Sequence, residues 1–464
     1  MHPRRDRSQF GEDEGQAATS SPVTPPLPRS STWRTLLIAT LLCLWEGFPL
    51  GILGANPLIG YQLYAVITIA GVGIYLASRV VRDIGVSYWA IFAFILFLWC
   101  CLVSIIFSEF TSPQPLIQWL PAIYTVTPVL TIFLLTGLNV SLIDAQRAIF
   151  WTGLAASILV IGETLFHTGL LDFYARGSAF GDGKIVFFKL VSAFAFMIAL
   201  VQAVQARTPA QILFNVIAAG LLGYSSMFLA ESRIVLMSIL LASGLTWLFV
   251  LRGTRKFVAG ALAPLAVIPF LWLILTRFFA NFTSIDAYLA DDVSSNWRRT
   301  TAQHFANYFE RETNGLGFGF MSGNANYNNI IAFSAARASQ LYGVKDYVVT
   351  LDDIGIRSAL YQYGYVGLAL IFVMTVLCIF TLAQARRIDA RYAPVSAIGI
   401  LMGALMISPV SMNYFTLFYT AHLGGLLWFM AAEVSRMQRA NSVAAQRGRM
   451  ERRLSAREDR TPAA

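Results

Sequence analysis

Residues 294–320 read SSNWRRTTAQHFANYFERETNGLGFGF, and residues 350–367 read TLDDIGIRSALYQYGYVG. The first lies within, and the second closes, one stretch, Arg277–Gly364, which is the long polar segment between the two tails of an otherwise hydrophobic chain. Apolar runs flank it on both sides. A loop of this length inside an apolar protein is where binding and chemistry concentrate, because a packed apolar bundle supplies the scaffold and the water-facing chain supplies the groups.

The rest of the composition fixes the class. The chain has 464 residues, of which 56% are hydrophobic and 13% charged, and its mean hydropathy is +0.61. Soluble domains carry roughly 25% charge. The expected fold class is therefore all-α, a polytopic integral membrane protein. The net charge of +9 invites a nucleic-acid partner, but most Lys and Arg lie in the tails and in short connections between apolar runs, where they report topology. No nucleic-acid partner is expected. Cys43, Cys100, Cys101 and Cys378 all lie inside apolar runs, so the long loop has no disulfide of its own.

Runs near 20 residues can cross a bilayer. Twelve are found, at 35–53, 57–77, 88–108, 119–138, 148–166, 184–205, 211–230, 234–251, 257–276, 355–382, 393–411 and 413–432. Counted from an N-terminus inside, every inner connection holds a cation: Arg79 and Arg82, Arg147, Arg207, Arg252 with Arg255 and Lys256, then Arg386, Arg387 and Arg391. The short outer connections at 54–56, 109–118 and 412 hold none. This parity predicts about 12 transmembrane helices with both termini cytoplasmic. The expected organisation is a disordered tail over 1–34, nine spans over 35–276, a large outer loop over 277–354, three spans over 355–432 and a basic tail over 433–464. The first 33 residues, with SSPVTPPLPRSS, have no apolar core and read as a tether rather than a signal peptide.

Ionisable residues at span edges come next: Glu46, Glu163, His167, Arg176, Lys184, Lys189, Glu231, Arg233 and His422. The topology places nearly all of them toward the outer face. Each alone reads as a residue snorkelling from a helix end; together they suggest one water-accessible cavity. Arg176 and Lys184 flank ARGSAFGDGK, Lys189 follows, and Arg233 opens a span after Glu231 and Ser232. Cations beside Gly-rich backbone suit a phosphate or diphosphate. Ion pairs with Glu163, Asp182 or Glu231 are the purely structural reading.

Within the long loop, Ser294 or Ser295 can cap a helix on which Trp297, Thr301, Phe305 and Phe309, with Tyr308, form an apolar stripe. Arg298 falls on another face, and His304 lies next to the stripe as a packed, solvated or catalytic histidine. The helix reads as amphipathic, resting on the membrane or capping the bundle. It stops at Asn314-Gly315. Gly315, Gly317 and Gly319 then permit tight turns and close backbone approach to a ligand such as a glycan. Asp352 and Asp353 stand where the loop re-enters the membrane, either as a helix cap or as the carboxylate that takes the proton of an acceptor hydroxyl. Two adjacent carboxylates point differently and no third ligand is evident, so no metal is expected.

These residues together resemble a family. Arg176, Gly177 and Phe180 form an R–G–F connector before a span, and Ser232-Arg233 opens a later one. Trp297 precedes Gly315, Gly317 and Gly319, and the loop returns as D-x-G-x(7)-Y-G-x-x-G through Asp353, Gly355, Tyr363, Gly364 and Gly367. The order resembles the O-antigen ligase/polymerase superfamily, which holds Wzy-type and exopolysaccharide polymerases and O-antigen ligases. It covers about residues 150–385. The resemblance implies a metal-independent glycosyltransferase without cofactor, in the bacterial inner membrane. It would act at the periplasmic face on an undecaprenyl-diphosphate-linked oligosaccharide, alongside a flippase and a chain-length regulator. It implies that Arg233 and Arg176 bind the diphosphate. Ligases of the family carry a histidine near the end of the loop. Here Thr350-Leu351-Asp352-Asp353 occupies that region, which points to a polymerase. An O-antigen ligase is the first alternative and a polysaccharide or lipid exporter the second; an exporter built of repeats would show paired loops in its two halves.

Overall fold

The computed structural model describes residues 31–48, 50, 58–82, 87–111, 113, 115–116, 120–171, 175–176, 184–185, 188–229, 233–251, 303, 305–319, 356–407 and 417–458. These are almost wholly helical. In chain order they form α1 (Thr32–Trp45), α2 (Leu58–Arg82), α3 (Tyr88–Ile106), α4 (Thr131–Gly137), α5 (Leu142–Phe166), α6 (Lys189–Gln205), α7 (Pro209–Gly223) and α8 (Arg233–Phe249). Then follow α9 (residues 305–313), α10 (Ile356–Ala383), α11 (Ala393–Ile407) and α12 (Leu417–Glu458).

Four described helical segments are long and apolar enough to cross a membrane: Ile59–Val80, Tyr88–Thr111, Leu142–Phe166 and Ala359–Arg387. Five shorter apolar helices accompany them. Large apolar side chains stand exposed along the helices, among them Val66, Leu98, Leu213, Met237 and Phe380. Such a surface fits lipid and not water. The ninth expected span, 257–276, lies outside the described residues.

Local chemistry explains the element boundaries. Ser87 caps α3 through Trp89 N, and Thr208 caps α7 ahead of Pro209. Ser141 and Asp144 form a reciprocal capping box at the start of α5. Asp144 is fully buried, and its other oxygen accepts from Ser31 N at 2.9 Å, which ties the start of α1 to the start of α5. The expected span at 119–138 is not one α-helix. Pro121 and Pro128 remove backbone donors, so Leu120–Thr125 and Thr127–Leu130 are 3₁₀ turns that lead into α4. The expected span at 184–205 begins at Lys189, because Lys184–Ile185 is a short strand. The tail expected over 433–464 continues α12 as helix to Glu458.

Small residues let the helices close on one another, the usual solution where the hydrophobic effect cannot drive association. A Cβ at Gly71 on α2 would lie 2.5 Å from Leu134 Cβ on α4, and one at Gly153 on α5 would lie 2.6 Å from Ala195 Cβ on α6. Contacts between helix ends define two ends of the bundle. At one, Trp89 Nε1 donates to Ser435 Oγ at 3.2 Å and Gln205 Nε2 to Ala390 O at 2.9 Å. At the other, Tyr61 stacks on Tyr124 and Phe107 meets Phe318 edge-on. Arg79, Arg147, Arg207, Arg386, Arg387 and Arg391 belong to the first end. Glu163, Lys189 and Arg233 belong to the second.

Candidate functional site

The second end is built around a break in α10. Gly364 adopts φ 67° and ψ −174° inside the helix, a backbone region essentially reserved for glycine. A break releases carbonyls that an intact helix would occupy. Here each one finds a donor. Phe318 N donates to Tyr361 O at 2.7 Å and Gly319 N to Gln362 O at 2.6 Å. Trp99 Nε1, from α3, donates to Tyr363 O at 2.8 Å. In return Tyr365 N donates to Gly315 O at 3.3 Å. The loop's GLGFG run is thus clasped to the unwound turn of α10.

The clasp accounts for the three glycines. All have positive φ. A Cβ at Gly317 would meet Gln362 O at 2.5 Å, and one at Gly319 would collide with the backbone of Ser104. Close backbone approach was expected of Gly315, Gly317 and Gly319 toward a ligand; what they approach in the structure is α3 and α10 of the same chain. Beside the clasp, Phe107, Phe305, Phe309, Phe318 and Tyr361 form a buried aromatic cluster separate from the main core. Of the two placements expected for the amphipathic helix, α9 takes the second and caps the bundle with Phe305 and Phe309.

The clasp makes a direct prediction. Gly364→Ala forces a non-glycine into the glycine-only region and drives a Cβ into the carbonyls of Gly315 and Leu316. Backbone strain and overpacking each cost about 1–3 kcal/mol. The expected result is a thermal midpoint several degrees lower in detergent. Gly73→Ala, where a Cβ meets nothing within 4 Å, serves as the control. Equal stability of the two variants would remove the clasp.

The basic residues chosen from sequence lie around helix starts at this same end. Ala175–Arg176 and Lys184–Ile185 pair as a two-residue antiparallel ladder, in which Arg176 and Lys184 are direct partners. Like charges directly opposite on a ladder are mutually unfavourable. Lys189 is the first residue of α6 and Arg233 the first of α8, and neither helix has an acidic residue in its first turn. A helix N-terminus disfavours cations and favours anions. Arg176 and Lys184 are thus register partners on the ladder, and Lys189 and Arg233 each open a helix.

No family model matches the chain, and no curated protein matches it. The site is read from its own residues.

Glu163 is taken up locally. Its carboxylate accepts from Thr168 Oγ1, from Gly169 N at 2.8 Å and from Leu170 N at 3.1 Å. Backbone donors thus satisfy one of the carboxylates suggested as an ion-pair partner for Arg176 and Lys184. Two π-helical turns also mark this end, Phe107–Thr111 after α3 and Tyr224–Leu229 after α7. Such turns recur at functional sites. The second leads directly to Glu231, Ser232 and Arg233. Asp352, Asp353, His304, Arg298 and residues 177–183 lie outside the described residues. Sequence reasoning missed Trp99 and Ser104, which sit mid-run in α3 and carry no polar pattern. It also missed the break at Gly364, whose signal was the Tyr-Gly pair inside an apolar run.

Proposed function

We propose that the protein is an inner-membrane polysaccharide polymerase of the O-antigen ligase/polymerase type, with twelve spans, both termini cytoplasmic and the clasp end facing the periplasm. The observation that carries this reading is the placement of Arg176, Lys184, Lys189 and Arg233. Two are register partners on a ladder and two open helices whose first turns hold no acidic residue. Helix N-termini and guanidinium groups together suit a diphosphate. The donor's leaving group is a polyprenyl diphosphate, whose developing charge is the main electrostatic demand of the transfer.

In the proposed reaction a hydroxyl oxygen of the acceptor repeat unit attacks the anomeric carbon of the donor glycan. The bond from that carbon to the diphosphate oxygen breaks, the diphosphate leaves with the electron pair, and the hydroxyl proton passes to a carboxylate, Asp352 or Asp353. In this reading Arg298 and the loop after the clasp would meet the sugar.

The purified protein, given a lipid-diphosphate-linked repeat unit, is expected to release polyprenyl diphosphate in step with polymer growth. Movement of intact substrate across vesicles without bond cleavage would replace this reading with an exporter. Glycan transfer to a lipid A-type acceptor in place of a second repeat unit would replace it with a ligase. Topology is tested separately. A reporter active only outside the cytoplasm should be active when fused at Asn324 and silent at Arg386; the reverse pattern overturns the proposed orientation.

A further inference from the structure

At the bundle end opposite the clasp, a cavity of about 500 Å³ opens where the last turns of α6 and α8 meet the connection from α10 to α11. Val204, Val250 and Leu251 line it together with Arg207, Arg386 and Arg391. The walls are fixed. Gln205 Nε2 donates to Ala390 O at 2.9 Å, and Arg386 N donates to Ser396 Oγ at 2.9 Å. Asp389, next to the cavity, is already committed: Arg391 Nη2 donates to its Oδ2 at 2.7 Å and Nε at 3.1 Å. These bonds hold the Asp389 carboxyl below its usual range. Asp389 is thus offset by Arg391, and Arg207 and Arg386 bring two further guanidinium groups to the lining.

Helix C-termini attract cations, and three end here, so the presence of some positive charge has a structural cause. That cause asks only for cations near the last carbonyls. It does not ask for a cavity that guanidinium groups and aliphatic side chains line together. Leu248 and Phe249, which directly precede the lining residue Val250, are exposed, so the exposed apolar surface of α8 runs up to the cavity lining.

We propose that this cavity binds the phosphate group of an anionic phospholipid. The arginines contact the headgroup oxygens, and Val204, Val250 and Leu251 lie along the glycerol and first methylenes. Basic pockets between helices at a membrane surface are suited to such headgroups, and guanidinium matches phosphate geometry. The continuity with the lipid-facing surface favours a lipid over a free phosphate.

The test uses the full-length protein in nanodiscs of phosphatidylglycerol or phosphatidylcholine, with retained lipid counted by native mass spectrometry after transfer to detergent. Wild type is expected to retain phosphatidylglycerol with about tenfold preference, and the exposed substitution Arg207→Glu to lose most of that preference, since each surface arginine is worth about 1 kcal/mol toward anionic lipid. Arg386→Gln, checked by helical circular dichroism, should act in the same direction. Equal retention of the two lipids, or undiminished preference in Arg207→Glu, overturns the proposal. Glycerol phosphate added in detergent should give no thermal protection; protection matching that of phosphatidylglycerol would mean a soluble phosphate site and overturn the lipid assignment. The readout is lipid retention, so the outcome stands apart from glycan chemistry.

Discussion

Arg233→Ala is expected to abolish polymer while the protein inserts, accumulates and melts no lower than wild type. The two halves of this result have different origins. Arg233 is the first residue of α8, and its first turn has no acidic residue. A cation there opposes the helix dipole by about 0.3–1 kcal/mol, so its removal leaves stability unchanged or slightly raised. Loss of function without loss of stability is the signature of a group held for its ligand. If Arg233 grips the leaving diphosphate, its loss removes charge stabilisation that develops in the transition state, worth about 10²–10³-fold for a single well-placed donor. Arg233→Lys should restore part of the activity, because lysine keeps the charge and lacks the bidentate fork. Polymer at wild-type level from Arg233→Ala would take Arg233 out of the site. Inactivity together with a collapsed melting temperature would make its role structural.

Asp353→Asn or Asp352→Asn is expected to cut polymerisation by about 10²–10⁴-fold, the range for loss of a general base, at unchanged protein level. An acceptor hydroxyl must lose its proton as the glycosidic bond forms. These carboxylates immediately precede α10, whose first turns are held by the clasp. Asparagine still caps a helix, so the substitution spares the structural role and removes the charge. His304→Ala should be milder, since His304 lies beside the apolar stripe in the sequence, away from the return of the loop to the bundle. Wild-type polymer from both aspartate variants beside an inactive His304→Ala would mean that the base is the histidine.

Much of the helical framework was legible because a spanning helix writes its length and its flanking charges into the sequence. The caps Ser87, Ser141 and Thr208 emerged only with the structure, whereas the arginines expected on the inner side fall together at one end of the bundle. What escaped were features decided between distant segments. The 3₁₀ turns around Pro121 and Pro128 sit in a run apolar enough to pass for one helix. The strand at Lys184–Ile185 is set by its pairing with Ala175–Arg176 and has no periodicity of its own. The glycines at 315, 317 and 319 were read as permitting close approach to a ligand; the approach seen in the structure is to Gln362, Gly364 and Ser104 of the same chain, which no local pattern announces. Among the site residues, Arg176 and Lys184 were chosen for flanking a Gly-rich connector, and their direct pairing followed only from the fold.

The clasp has a consequence for how such a chain can vary. Gly319 and the Tyr361–Gly364 turn are hydrogen-bonded neighbours, so the chain over 320–355 departs from and returns to one fixed point. For a segment closed in this way, each doubling of length costs only about 0.6 kcal/mol in chain entropy. Insertions or deletions there leave the anchoring bonds and the aromatic cap untouched. The segment that would meet the sugar is thus decoupled from the bundle that would hold the diphosphate, and specificity can drift by loop exchange while the membrane scaffold stays the same.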